Sequence, residues 1–243
     1  MLLTEDAPAR TQRIDPAFRR DILEGLGHEP KSTPPIWFYD RRGSELFEQI
    51  TDLPEYYPTR TETALLKAHG PDVARAAGAG RAVVEFGAGS SRKTPYLLRA
   101  IDPAAYVPID ISGDFLRDSS AELARAFPQL PVLPVVGDFN QPLDLPKEIS
   151  SMPRLGFFPG STIGNMEPGA AVDLLRAMRR LLGEDAMLLI GMDRIKDRDR
   201  LIAAYDDAQG VTAAFNLNLI ERINRELDGD MPIDGFAHRA VWN

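Results

Sequence analysis

The sequence predicts an α/β fold with an open, parallel sheet of the Rossmann-like kind. Five short apolar runs alternate with helical patterns between Arg81 and Asp193, which is typical of parallel strands joined by crossover helices. The first run ends in a Gly-x-Gly turn, and the next three end in polar residues. Because ligands of such sheets bind beyond the carboxyl ends of the strands, we expect these residues to share one crevice.

The apolar runs and amphipathic patterns place the elements in order. Strands are predicted near residues 82–86, 106–109, 132–136, 155–158 and 186–191. Helices are predicted near 15–27, 43–51, 92–101, 113–127, 168–182 and 197–227. A capping box, Thr59-x-x-Glu62, is expected to open a further helix to about Ala76. The proline-rich segment 31–39 is expected to be extended.

The alternation stops after Asp193, which predicts two units. Residues 61–193 are expected to form the ligand-binding core, and residues 1–60 and 194–243 a helical lobe beside it. The last residues, 236–243, alternate like the beginning of a strand and then stop. A sheet of this class ordinarily adds an antiparallel edge after its fifth strand, so the chain looks truncated at its C terminus.

The turn after the first strand indicates the kind of cofactor. Gly87 and Gly89 leave backbone N–H groups open to a ligand at the start of a helix. A dinucleotide site usually has a third glycine three residues later, to admit the pyrophosphate, and that position is Arg92. The turn therefore favours S-adenosylmethionine (SAM), a nucleoside without phosphates, and disfavours a nicotinamide oxidoreductase.

The next strand ends carry groups suited to the rest of such a cofactor. Asp110 follows the second strand near the spacing at which an acid binds ribose hydroxyls. Asp138 can accept from an exocyclic amine, and Phe139 can stack on a purine face. The alternative for each aspartate is a helix N-cap without a role in binding.

Composition excludes several classes of function. The 243 residues contain no cysteine, which rules out disulfides and thiolate chemistry within them, and the net charge of −8 argues against a nucleic-acid partner. The three histidines, His28, His69 and His238, are far apart and are expected at the surface, so no metal is expected. No apolar run approaches a membrane span and no signal peptide is visible. We expect a cytoplasmic monomer acting on a small molecule.

Four segments carry a more specific resemblance. They are Pro35-Ile-Trp-Phe-Tyr-Asp40, Leu53-Pro-Glu-Tyr-Tyr-Pro-Thr-Arg-Thr-Glu62, Gly160-Ser-Thr-Ile-Gly-Asn165 and Ala204-Tyr-Asp-Asp-Ala-Gln-Gly-Val-Thr-Ala-Ala-Phe-Asn216. With them the chain resembles, over essentially its whole length, the histidine-specific, SAM-dependent Nα-methyltransferases of ergothioneine biosynthesis. The resemblance implies a class I methyltransferase sheet with a helical substrate-binding lobe. It also implies that L-histidine is converted in three transfers to its Nα-trimethylated betaine, hercynine.

The resemblance also implies roles for individual residues. The family's SAM pocket falls on Tyr39, Gly87, Lys93, Asp110, Asp138 and Phe139, with Gly89 added by the turn itself. Lys93 can pair with the methionine carboxylate. The family's substrate residues fall on Tyr56, Gly160, Asn165 and Tyr205. Asn165 and Tyr205 can hold the α-carboxylate, and Tyr56 is the catalytic candidate, since it can orient the amine or pass its proton to water.

Two other functions stay open. The family contacts the imidazole through an acid and a hydroxyl nearer its C terminus, in a region that this sequence does not include. We therefore expect the chain ending at Asn243 to bind histidine poorly. A methyltransferase for another amino acid or amine is one alternative, and a SAM-binding protein without catalytic activity is the other.

Overall fold

The computed structural model describes residues 14–242 and contains one sheet of five parallel strands. The strands are β1 Ala82–Phe86, β2 Ala105–Asp110, β3 Val135–Val136, β4 Arg154–Phe158 and β5 Met187–Ile190. The helices are α1 Pro16–Gly27, α2 Arg41–Asp52, α3 Tyr57–Ala77, α4 Thr94–Ile101, α5 Gly113–Ala126, α6 Pro168–Leu182, α7 Arg198–Tyr205 and α8 Val211–Leu227. The predicted α/β class and parallel sheet are confirmed.

The strand order β3-β2-β1-β4-β5 creates the place where a ligand can bind. The chain builds outward from β1 to β2 and β3, then returns to the other side of β1 with β4 and β5. At this reversal the connections leave β1 and β4 in opposite directions, which opens a crevice at their carboxyl ends. The glycine turn follows β1, and the loop 159–165 follows β4.

Burial of the central strand explains why it reads as a continuous apolar run. Every residue of β1 is buried. Val84 and Phe86 pack in a cluster with α6, and Val83 packs in a cluster with α3 and α4, so both faces of the sheet are covered by helices. A parallel strand covered on both faces needs apolar side chains on both, and Glu85 is therefore the exception that calls for a specific reason.

The flanking helices pack on each other across the sequence. Phe18 of α1 and Trp37 form a buried cluster with Leu219 and Ile223 of α8. A second cluster joins Tyr56 to Ala204 of α7 and includes neighbours from α2 and α8. The helices before and after the sheet thus share apolar cores, although the predicted boundaries at residues 61 and 193 stay a prediction. Residues 1–13 of the predicted lobe and Asn243 lie outside the described residues.

Three local predictions are wrong. Segment 31–39 holds a 3-10 turn, Pro35–Phe38, because proline already has the φ of a first helical turn. Segment 197–227 divides into α7 and α8, since the carboxylate of Asp207 accepts from the amides of Val211 and Thr212 and so starts a new helix. The expected capping box does not form, because α3 already begins at Tyr57.

The C-terminal segment also differs from expectation. Residues 236–242 form no strand. His238 is largely covered rather than a surface residue, with its side chain 10% exposed. Its Nε2 donates to the carbonyl oxygen of Tyr205 at 2.7 Å, and its Nδ1 accepts from the amide of Asn216 at 2.8 Å.

Among residues 14–242, none of the helices combines the length and apolar character that a membrane crossing requires.

Candidate active site

A cavity of about 440 Å³ lies at the carboxyl ends of β1 and β4. Its walls include all seven predicted cofactor residues, namely Tyr39, Gly87, Gly89, Lys93, Asp110, Asp138 and Phe139. They also include three of the four predicted substrate residues, namely Tyr56, Gly160 and Asn165. The fourth, Tyr205, is not among the described residues that line the cavity, but its ring lies against that of Tyr56. The sequence-predicted residues therefore converge in space.

The glycine turn needs both of its glycines. Gly87 has a φ of +71° and Gly89 a φ of +52°, a region in which side chains with a Cβ are strained. Arg92, at the position of the missing third glycine, reaches α2 instead. Its guanidinium lies 2.8 Å from the carboxylate of Asp52 and donates to the hydroxyl of Thr51 at 3.2 Å.

Asp110 holds the turn as well as facing the cavity. Its Oδ2 accepts from the amide of Gly89 at 2.9 Å, and its Oδ1 accepts from the amide of Ser112 at 2.9 Å. Burial raises the pKa of Asp110 above its ordinary value, although these amide hydrogen bonds act in the opposite direction. The helix that follows, α5, has Ser112 at its N-cap and no side-chain cap, so Asp110 does not act as a helix cap. A ligand would meet a carboxylate that is already fixed in orientation.

Asp138 and Phe139 are placed by the loop after β3. Oδ1 of Asp138 accepts from the backbone and side-chain amides of Asn140, both at 2.8 Å. The ring of Phe139 packs edge to face on Phe86 at 5.9 Å and on Phe158 at 5.8 Å, between the centroids. These contacts fix both side chains at the cavity wall before any ligand arrives.

A carboxyl group that sequence reasoning did not assign lies directly beneath the turn. Glu85 is 2% exposed, and its Oε2 accepts from the hydroxyls of Thr94 at 2.7 Å and Tyr106 at 2.6 Å. Burial raises the pKa of Glu85 to about 7, while the two hydroxyl hydrogen bonds oppose that rise. Its position within an otherwise apolar strand was the signal that could have singled it out.

Aromatic rings form the wall of the cavity opposite the turn. Tyr39 packs edge to face on Phe47 at 5.6 Å and on Phe215 at 5.5 Å, and Phe47 packs on Tyr56 at 6.2 Å. Asp40, the next residue, caps α2: its Oδ1 accepts from the amide of Gly43 at 2.7 Å. Burial raises the pKa of Tyr39 to about 12. Phe47 and Phe215 were not singled out from the sequence, because apolar rings at helical spacing are typical of a core.

The two tyrosines of the predicted substrate site meet at this wall. The rings of Tyr56 and Tyr205 are nearly perpendicular, with centroids 6.0 Å apart. Tyr56 is 7% exposed, whereas Tyr205 is 44% exposed. Burial, together with the nearby Tyr205, raises the pKa of Tyr56 well above its ordinary value. The Tyr56 hydroxyl therefore stays protonated at neutral pH and can act as a hydrogen-bonding group but not as a base.

Lys93 has a protein partner that the sequence did not predict. Its ammonium pairs with the carboxylate of Glu62 on α3. The amide of Gly160 donates to the same carboxylate at 3.0 Å. Gly160 has a φ of +83°, and the loop it begins carries Asn165 to the cavity. The predicted pairing of Lys93 with a methionine carboxylate stays a prediction. Glu62, interpreted from the sequence as part of a helix cap, instead contacts two residues that line the cavity.

Comparison with known sequences decides the family. The family described as histidine-specific methyltransferase, SAM-dependent, matches residues 18–243. The chain belongs to this family. It is a SAM-dependent methyltransferase, and the open glycine turn with acids at the neighbouring strand ends fits that methyl donor.

Relatives of the histidine-specific family show how far the likeness extends. The chain is 45% identical over 231 residues to a histidine N-alpha-methyltransferase of Mycolicibacterium smegmatis, covering 93% of this chain and 71% of that protein. An ergothioneine biosynthesis protein 1 of Neurospora crassa is 32% identical over 85% of this chain and 24% of its own length. A 4-dimethylallyltryptophan N-methyltransferase of Claviceps purpurea is 27% identical over 90% of this chain and 69% of its own length.

Proposed function

We propose that the protein methylates the α-amino nitrogen of L-histidine, in three successive transfers from SAM that end at the trimethylated betaine. One observation carries the proposal: a single cavity joins the glycine turn and strand-end acids to a wall that holds Tyr56 and Asn165. Membership of the histidine-specific family and the relative from Mycolicibacterium smegmatis support histidine as the substrate.

The cofactor would lie along the carboxyl ends of β1, β2 and β3. Asp110 is placed to accept from the ribose hydroxyls, and Asp138 to accept from the adenine amine beside the ring of Phe139. The methionine end would reach Gly87, Gly89 and Lys93. A Cβ at Gly87 would be in ordinary van der Waals contact with the Phe139 ring at 3.7 Å, so it is the φ of +71° that favours glycine there.

The amino acid would lie between the cofactor and the aromatic wall. Asn165, in the loop that Gly160 begins, would supply a neutral donor for the α-carboxylate from the cavity wall, and Tyr205, packed on Tyr56, would supply a second. The Tyr56 hydroxyl is then next to the amine. The tyrosine faces suit the quaternary nitrogen that the third transfer creates, because aromatic faces attract cations.

The reaction depends mainly on how the protein positions the amine relative to the methyl group. The neutral amine attacks the sulfonium methyl in line. The new C–N bond forms as the C–S bond breaks, and the electron pair of the C–S bond stays on sulfur. The resulting ammonium gives a proton to water before each of the next two attacks, and the third product is quaternary. Holding the amine and the methyl group in line can lower the barrier by several kcal/mol, and the proposed transfer assigns no role to a metal.

Mass spectrometry of the products tests the proposal. The purified protein is incubated with SAM and L-histidine, and in parallel with L-tryptophan and L-tyrosine. At a histidine concentration high enough to offset the weak binding expected of this chain, we expect mono-, di- and trimethylated histidine in sequence, with less product from the other two amino acids. Methylation of tryptophan in preference to histidine would favour the other candidate, a methyltransferase for a different amino acid, which the likeness to the Claviceps protein supports.

A further inference from the structure

Residues from the segments that follow three strands meet at the carboxylate of Glu62. This residue lies in α3, and its side chain is 15% exposed. It pairs with Lys93, which follows the turn after β1. Both of its oxygens lie 3.0 Å from the amide nitrogen of Gly160, which follows β4. A side chain at Gly191, which follows β5, would collide with the same carboxylate, so Gly191 leaves the space that Glu62 fills.

We propose that Glu62 is a positioning residue that couples the cofactor end of the cavity to the substrate end. It acts through Lys93 toward the methionine carboxylate, and through the Gly160 amide toward the loop that carries Asn165. The inference rests on the proposed function for its substrate half, whereas its cofactor half depends on SAM binding alone.

The chemistry of the two contacts differs, which makes them separable. Toward Lys93, Glu62 supplies a negative charge, which holds the flexible ammonium at the cavity with protons left to donate to a ligand. Toward Gly160, it supplies an acceptor oxygen, which a neutral amide also provides. Glutamine at position 62 should therefore lose the first contact and keep the second, and alanine should lose both.

SAM affinity, measured by calorimetry, tests the Lys93 half without histidine. Glu62→Gln should weaken SAM binding about tenfold, the change expected for one hydrogen bond between charged groups. Lys93→Met should weaken it at least as much, and the double variant should bind SAM no worse than Lys93→Met alone, because both changes remove one pathway. Unchanged affinity in Glu62→Gln, or additive losses in the double variant, would overturn this half.

The histidine KM at saturating SAM tests the Gly160 half. We expect a near wild-type KM for Glu62→Gln and a KM raised about tenfold for Glu62→Ala, which leaves the Gly160 amide without its acceptor. Equal KM values in the two variants would show that Glu62 only stabilises α3. If the wild-type protein does not methylate histidine, the proposed function fails, while the SAM measurements still decide the Lys93 half.

Two further variants test whether these effects come from the position of the Glu62 carboxylate. Gly191→Ala keeps Glu62 but displaces its carboxylate, and it should weaken SAM binding in the same direction as Glu62→Gln. Asp72→Asn changes an exposed, ion-paired acid farther along α3, where it contacts His69 and Arg75. It should leave both SAM affinity and KM unchanged. Wild-type SAM affinity in Gly191→Ala would contradict the role assigned to the position of the carboxylate.

Discussion

The hydroxyl of Tyr106 donates a 2.6 Å hydrogen bond to the carboxyl of Glu85, and both side chains are buried beneath the glycine turn. The Tyr106 hydroxyl lies 3.1 Å from that of Ser91, so the chain of hydrogen bonds runs from β1 through β2 to the end of the turn. A carboxyl group that is only 2% exposed ties the strand to the loop. Its protonation state should therefore influence the stability of the core.

Glu85→Gln should change how stability depends on pH. The pKa of Glu85 is raised to about 7 from 4.5, so the folded state binds the proton more tightly than the unfolded state. Ionisation then costs the wild type stability as pH rises from about 4.5 through 7, by up to about 3 kcal/mol, which the amide does not lose. Denaturant unfolding at pH 5.5 and pH 8 should show the variant gaining relative stability at the higher pH. A constant difference between the two proteins would contradict the assignment.

Asp110→Ala and Asp138→Ala should each weaken SAM binding by about 1–3 kcal/mol, because each removes a carboxylate acceptor from the cavity wall. Asp110→Ala should cost more, since it also releases the amide of Gly89. Calorimetry gives both affinities. Asp173→Ala, an exposed acid on α6 with a side chain 76% exposed, is the matched control and should bind SAM normally. Unchanged affinity in both folded variants would refute the proposed cofactor pocket.

Asn165→Ala should raise the histidine KM about 10- to 100-fold, which corresponds to losing one hydrogen bond to a charged carboxylate. SAM affinity should change little, because the proposed contact is to the amino acid alone. Steady-state kinetics and SAM calorimetry together check this. Gln129→Ala replaces an exposed amide away from the cavity and serves as the control. A parallel loss of SAM affinity would place Asn165 in the cofactor site instead.

Tyr56→Phe should lower kcat/KM without changing the shape of its pH dependence. The pKa of Tyr56 is raised above its ordinary value by burial, so the hydroxyl does not titrate where the enzyme works. The rate should rise with pH as the substrate amine loses its proton, near the α-amino range of about 7.7–8.0, in both proteins. Tyr96→Phe, on α4 beside Lys67, is the control. Loss of the pH-dependent limb in Tyr56→Phe would identify this tyrosine as a base.

Much of the sheet was predictable because its strands are covered on both faces. Burial forces apolar runs such as Val83 and Val84, and strand ends are marked by glycine or aspartate. The helix boundaries were harder to place, because they depend on which polar side chain accepts hydrogen bonds from the free backbone amides at the start of a helix. Asp207 divides the predicted helix 197–227 through such a contact. The apolar periodicity of the neighbouring residues does not predict this break.

The site was predictable where its residues follow strands and less so where they arrive from helices. Asp110 and Asp138 stand at strand ends, so topology alone brings them to the cavity. Glu62 has the spacing of a helix cap, and only the packing of α3 over β4 turns its carboxylate toward Gly160. A contact between residues so distant in sequence leaves no local pattern.

The contact of Arg92 with α2 has a consequence for how the two parts of the molecule respond to a ligand. A cofactor resting on the turn would restrain Arg92, and through Asp52 and Thr51 it would restrain the last turn of α2 as well. By reciprocity, whatever holds α2 in place also raises the affinity of the turn for its ligand. Amide hydrogen exchange at the end of α2 should therefore slow when SAM is added, although no atom of that helix segment belongs to the turn.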